Sequence, residues 1–298
     1  MVSRVRRIFG VKKAGHCGTL DPFASGVLPI CIGKATRVVR YMDAYDKEYR
    51  CTVRFGSYTD TQDREGKRIG GREPSDEELK NLRDLDFRPI RDLIDRLPGE
   101  IEQVPPMFSA VKIDGRPLYE YARKGIVIDR LARHIRVFSS TVHDVSAENG
   151  LTADFSVVCS KGTYIRTICE MIGEQSGFGA HAQELCRTRC GPFTLAESVS
   201  LDDLEAIKNR DELIGRLLSE DRALSHLMRI NLSEEEAEHI RYGRQMDLAL
   251  FEERLQEASH TANADHRICV YYNDTPLAVV FPDEKEERQI LRIERMFS

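Results

Sequence analysis

Two widely separated stretches of this chain alternate between apolar and polar residues. In the first, Tyr49, Cys51, Val53 and Phe55 are separated by Arg50, Thr52 and Arg54; in the second, Leu151, Ala153, Phe155, Val157 and Cys159 repeat the pattern. A period of two predicts half-buried strands. The second strand runs through the turn Ser160-Lys161-Gly162 into a helix predicted to begin near Thr163, with Ile165, Ile168, Cys169 and Ile172 at helical spacing. Strand, glycine turn and helix in this order resemble a phosphate loop. The order Lys-Gly-Thr, with no glycine at the required distance before Gly162, excludes one. The polar loop after Phe55 (residues 56–66) does not match a calcium-binding loop. Ser75 and Glu78 form a capping-box pair that predicts a helix through Leu79, Leu82 and Leu85.

The character of the chain changes near residue 226. Ser233 and Glu236 pair as a second capping box, and Gly243 marks the stop of a short helix over 234–242. Ile268–Tyr272, a turn at Asn273-Asp274, Leu277–Phe281 and Leu291–Phe297 then read as strands. The polar stretch 252–267 reads as a mobile loop. The expected organisation is therefore a large domain over 1–225 and a small β-rich domain over 226–298, within what 298 residues can bury.

Eight cysteines are scattered with no C-x-x-C pair, and His181, Cys186 and Cys190 match no common zinc spacing. Buried, reduced thiols are expected, with no metal. No apolar run approaches the roughly 20 residues that span a bilayer. The basic N-terminus lacks an apolar signal core, so a cytoplasmic protein without a membrane partner is expected. The net charge of −5 hides a split: residues 1–50 hold ten Lys/Arg against four Asp/Glu, and residues 111–136 hold seven against three. Acids dominate around 74–86, 202–222 and 234–257. This split suits a polyanion-binding face on an acidic body, although an ordinary solvated surface fits the same charges.

The stretch Gly15-His16-Cys17-Gly18-Thr19-Leu20-Asp21-Pro22 isolates one carboxylate. Pro22 fixes its own φ and drives Asp21 into an extended conformation. A basic approach (Arg4, Arg6, Arg7, Lys12, Lys13) precedes it and the apolar Val27–Cys31 follows. Such an acid is a candidate catalytic group, although taken alone the commoner reading of Asp before Pro is a turn residue.

The longer string GHCGTLDPFASGVLPICIGKAT resembles the first catalytic motif of pseudouridine synthases, most closely the TruB family of tRNA pseudouridine-55 synthases. Three further segments are similar to that family. Lys47-Glu48-Tyr49-Arg50 resembles its second motif and Ser160–Arg166 its third. Val104–Lys112, followed by Gly115–Arg123, resembles its RNA-gripping insertion, here about 104–135. The helix near 233–243 and the strands after it resemble a PUA-like RNA-binding domain.

The resemblance implies an α+β pseudouridine synthase fold: a mixed, mainly antiparallel central sheet flanked by helices and loops, with the small β-rich PUA-like domain at the C-terminus. It implies a monomeric, stand-alone synthase that acts on the T-arm of tRNA and flips the T-loop uridine out of its stack. The reaction needs no redox step and no metal, so no cofactor is expected; Gly115-Arg116-Pro117-Leu118-Tyr119 resembles the bacterial stand-alone form, so no guide RNA or protein partner is expected. Asp21 would supply the essential carboxylate, by attack on C1′, attack on the uracil ring or elimination across the sugar. Arg166 would keep that acid ionised; the N-terminal end of a helix gives no other reason for a cation.

Tyr49 would stack on the flipped base and exchange a proton, although core packing also explains a tyrosine there. Tyr164 and Leu185 would line the pocket, and His16 would contact the RNA. Lys161, Lys112, Arg116, Arg123 and Arg187, together with Arg189, would reach RNA, where basic side chains position phosphates. Family members begin upstream of the point matched by Met1, with a strand and a Lys-Pro-x-Gly segment. By the resemblance, this chain would lack that strand and leave a sheet edge unpaired. A tRNA-binding or tRNA-folding protein with reduced catalysis is the alternative that this difference raises.

Overall fold

The structure is a computed structural model that describes residues 1–258, 267–285 and 288–297. Its backbone contacts group into two units. One comprises residues 1–18, 29–43 and 199–298, the other residues 19–28 and 44–198.

The second unit is built on the strand predicted around Tyr49, observed as Lys47–Phe55. On one side it pairs antiparallel with Thr152–Cys159, which continues to Arg133–Ser146 and Gly99–Gln103. On the other side it pairs antiparallel with Ala180–Cys190, which continues to Phe193–Thr194. A two-residue strand, Ser25–Gly26, joins Ala180–Cys190 in parallel. The sheet is thus mixed and mainly antiparallel, as expected.

Alternation decides which face is buried. Cys51, Val53, Phe55, Phe155 and Val157 join the core with Ile165, Ile168, Cys169 and Ile172 of the helix Ile165–Ser176. That helix ends at Gly177, whose φ of 74° is the left-handed cap a glycine supplies without strain. The capping box on Ser75 and Glu78 forms in both directions and opens the helix Asp76–Asp84.

The first unit contains the helix Val2–Phe9, the antiparallel pair Ala14–His16 with Ile30–Ile32, and a five-stranded sheet. The sheet runs in the order Met228–Asn231, Ile268–Tyr272, Thr275–Lys285, Arg288–Met296 and Met246–Asp247. Only the first of these pairings is parallel. Asn273 and Asp274 both have positive φ, the backbone of a two-residue hairpin turn. The second capping box also forms and opens the helix Glu234–Arg241.

The stretch expected as a mobile loop over 252–267 is partly helical: Glu252–Ala258 forms a helix, and 259–266 lie outside the described residues. Leu255 packs on the core of this sheet, and Arg254 bonds the Glu236 carboxylate at 2.6 Å, which gives the polar segment a reason to fold. All eight cysteines except Cys186 are buried.

Phe155 is fully buried at the centre of the second unit's core. Phe155→Ala is expected to cost about 3–5 kcal/mol, through lost burial plus the cavity it leaves. Chemical denaturation of both proteins measures the difference.

Candidate active site

Asp21 lies on a tight turn. The amide of Ala24 donates to the Asp21 carbonyl at 3.0 Å across Pro22 and Phe23, placing Pro22 at the position where its fixed φ is favoured. The turn leads into Ser25–Gly26, which is pinned to the strand carrying Arg187. Val27 N–H donates to the Arg187 carbonyl at 2.8 Å. Gly26 has φ 107°, and a Cβ there would lie 2.2 Å from that carbonyl oxygen. The backbone therefore approaches as closely as only glycine permits.

The Asp21 carboxylate meets the Arg166 guanidinium two-pronged. Arg166 Nε donates to Oδ2 at 2.9 Å and Nη2 to Oδ1 at 2.8 Å. Arg166 is the second residue of its helix, and its side chain is 3% exposed. Its remaining donors are also used. Nη1 donates to the Thr61 carbonyl at 2.7 Å, and Nη2 to the Phe108 carbonyl at 2.9 Å.

A second acid, Asp63, lies 3.7 Å from Nη1. Asp63 is itself held by the Thr61 hydroxyl at 2.7 Å and the Glu65 amide at 3.0 Å. Burial pushes the Asp21 carboxyl above its ordinary value; Arg166 pulls it back, and the Asp63 charge raises it further. The guanidinium therefore works against desolvation to keep the acid ionised.

Tyr49 stands on the buried face of its strand, packed against the core. The register sets Val157 opposite it on one neighbouring strand and Arg187 on the other, with Leu185 opposite Cys51. Burial pushes the Tyr49 hydroxyl up to about 12, and the Arg187 charge pulls it down. Leu185 is a buried core residue of the same face.

Tyr164 precedes the Arg166 helix and is fixed through its backbone. Its N–H donates to Gln103 Oε1 at 2.8 Å, and its carbonyl accepts from Gln103 Nε2 at 3.1 Å. His16 sits in the first unit, on the strand Ala14–His16, with its Nδ1 buried and bonded to nothing.

Lys161, Lys112, Arg116 and Arg123 are exposed. Lys112 and Arg116 flank the Asp114-Gly115 turn of a short hairpin, and the Arg123 guanidinium lies 5.3 Å from the centre of the Tyr119 ring.

Two expectations are corrected. Arg187 does not lie at the surface for phosphates to reach: it is 1% exposed, and its Nε donates to the Val27 carbonyl at 2.6 Å. Arg4 and Arg7, counted as a basic approach, bond Glu205 at 2.8 Å each, and Arg4 also bonds Asp202 at 2.7 Å. Asp63 and Gln103 escaped the sequence reading. Asp63 was judged only against a calcium loop, and a lone glutamine before a loop carries no sequence signal.

The TruB family pseudouridylate synthase N-terminal domain model matches residues 6–165, and the tRNA pseudouridylate synthase B C-terminal domain model matches residues 166–225. The chain is 44% identical over 247 residues to a tRNA pseudouridine synthase B of Syntrophus aciditrophicus, covering 83% of this chain and 75% of that one. It is 42% identical over 257 residues to the protein of that name from Geobacillus kaustophilus, covering 85% and 88%. It is 38% identical over 285 residues to that of Bacillus subtilis, covering 94% and 87%. Among solved structures, a chain of a Cbf5-Nop10-Gar1 complex superimposes with a TM-score of 0.69 at 25% identity, covering 100% of this chain and 80% of that chain. A chain of the archaeal box H/ACA sRNP Nop10-Cbf5 complex gives 0.67 at 21%, covering 100% and 81%.

Gly26→Ala is expected to destabilise the second unit by about 1–3 kcal/mol, because the clash is with backbone that cannot rotate away. A denaturant midpoint lowered at unchanged slope registers this.

Proposed function

The chain belongs to the TruB family of pseudouridylate synthases, and on that premise we propose that it converts the T-loop uridine of tRNA, position 55, to pseudouridine. The observation that carries this reading is the two-pronged bond between Asp21 and the buried Arg166. A carboxylate is held at a fixed orientation with one edge left to reach a sugar or base, since its side chain is 31% exposed.

A duplex or folded loop hides uridine, so the base must first leave its stack. Asp21 then acts on the freed nucleotide, the N1–C1′ bond breaks, the uracil turns, and C5 bonds to C1′. Tyr49 supplies an aromatic face and a hydroxyl. Tyr164 and Leu185 form pocket walls, and His16 contacts the RNA. Lys112, Arg116, Arg123 and Lys161 lie exposed where phosphates would meet them, and such contacts fix register without reading sequence.

Residues 1–225 act as the catalytic domain and 226–298 as a PUA-like RNA-binding domain. The protein works as a cytoplasmic monomer on the T-arm, without guide RNA or protein partner. Among the described residues no helix is long and apolar enough to cross a membrane.

Incubation with an unmodified tRNA transcript, followed by chemical mapping, is expected to place pseudouridine at the T-loop uridine. Asp21→Asn should lower the rate by about 10²–10⁴-fold or more, the range for losing a reacting group, while tRNA binding persists. Product at wild-type rate from this variant refutes the assignment of Asp21.

The pH dependence supplies a second check. The carboxyl titrates above its ordinary value, so the acid limb of the rate profile should lie at higher pH than an unperturbed aspartate would give. Arg166 lowers that value, so Arg166→Met should move the limb to still higher pH. Single-turnover rates across pH measure both.

A further inference from the structure

Arg187 has no carboxylate partner among the described residues, although it is 1% exposed. An isolated buried cation is costly and is retained only where something compensates it. Part of the compensation is visible. Nε donates to the Val27 carbonyl at 2.6 Å and Nη1 to the Thr19 carbonyl at 3.4 Å, two points that bracket Asp21 in the chain. The other part comes from the Tyr49 hydroxyl, on which the guanidinium acts both by its charge and by a side-chain hydrogen bond, while Nη2 is buried and has no other acceptor.

The strand register places Arg187 directly opposite Tyr49, and directly opposed residues share a face of the sheet. The titratable groups that act on the phenol are Arg187 and Cys190 on one neighbouring strand and Cys159 on the other. Of these, Arg187 is the permanent charge.

Resting on the reading of this site as a pseudouridine synthase, we propose that Arg187 is a positioning residue whose fixed positive charge lets the Tyr49 hydroxyl pass through its phenolate form during proton transfer on the detached uracil. The isomerisation breaks N1–C1′ and makes C5–C1′, so the product has gained a hydrogen on N1 and lost one from C5. Tyr49 gives its proton to N1, and its oxygen keeps the electron pair. After the new carbon–carbon bond forms, that oxygen takes the proton from C5, and the C5–H electron pair restores the ring double bond. The enzyme ends as it began, with no co-reactant.

The phenolate exists only between these two transfers, and a cation fixed beside it stabilises that state without waiting for solvent to reorganise. Burial alone holds the phenol protonated, and the Arg187 charge is the largest influence in the opposite direction. The same guanidinium supports the Asp21 loop through Val27 and Thr19, so the two reacting groups share one anchor.

Arg187→Met keeps much of the shape and removes the charge; Arg187→Lys keeps the charge and loses the fork. With saturating tRNA, Arg187→Met is expected to lower the single-turnover rate by about 10–100-fold while tRNA binding persists. The phenolate absorbance assigned to Tyr49, by difference from Tyr49→Phe, should move to higher pH, and Arg187→Lys should recover part of both effects. A folded, tRNA-binding Arg187→Met protein with an unchanged rate overturns the proposal. So does a reduced rate with an unchanged Tyr49 titration, which would mean loop support alone.

If Arg187→Met does not fold, fluorotyrosine at position 49 of the otherwise intact chain provides the test. Its more acidic phenol should shift the rate profile to lower pH, and an unmoved profile overturns the proposal. A wild-type chain that forms no pseudouridine refutes the reading of the site itself, a result distinct from either failure.

Discussion

A guanidinium taken out of water has to be surrounded by acceptors, and the site depends on how Arg166 meets that demand. It gathers the Asp21 carboxylate, the Thr61 carbonyl, the Phe108 carbonyl and, at longer range, Asp63. Each acceptor comes from a different loop or a different part of one, so satisfying one side chain fixes the relative placement of all of them. A buried ion pair is a poor source of net stability, because desolvation offsets attraction. It is a good source of geometry. Here the geometry holds an acid in a partly desolvated pocket, with its charge preserved by a neighbour rather than by water.

Charge is distributed differently from what counting along the chain suggests. The acidic stretch around 202–222 answers part of the basic N-terminus through the bonds of Asp202 and Glu205 to Arg4 and Arg7. Arg187 is drawn into the interior of its unit. The exposed cations available for a polyanion include Lys112, Arg116, Arg123 and Lys161. A block of like charge in sequence is therefore a weak guide to a surface, since long side chains find partners wherever the fold places them.

The Tyr49 strand, its neighbour 152–159, the helix after it, both capping boxes and the C-terminal hairpin were legible because local pattern and tertiary role agree there. The strands 99–103, 133–146 and 180–190 were not. Arg133–Ser146 breaks its alternation at register shifts after Val137 and Val142, and Ala180–Cys190 does so after Ala182 and Arg187, so no period of two survives in the sequence. Within the site, the long motifs around Asp21, Tyr49 and Arg166 could be read directly. Asp63 and Gln103 could not, because what marks them is burial beside residues distant in the chain, Asp63 beside Arg166 and Gln103 against the backbone of Tyr164. Arg187 was read with the wrong environment, since a basic residue in a polar-looking strand gives no sign that it points inward.

The three bonded partners of Arg166 lie 145, 105 and 58 residues away in the chain. Contacts of such separation form only after the intervening loops have closed. The Asp21 carboxylate cannot be aligned while any of those loops is open. A chain still emerging or partly collapsed presents its surface lysines and arginines to nucleic acid before it presents an oriented acid. Chemical competence is thus a by-product of complete closure and belongs to no single segment of the chain.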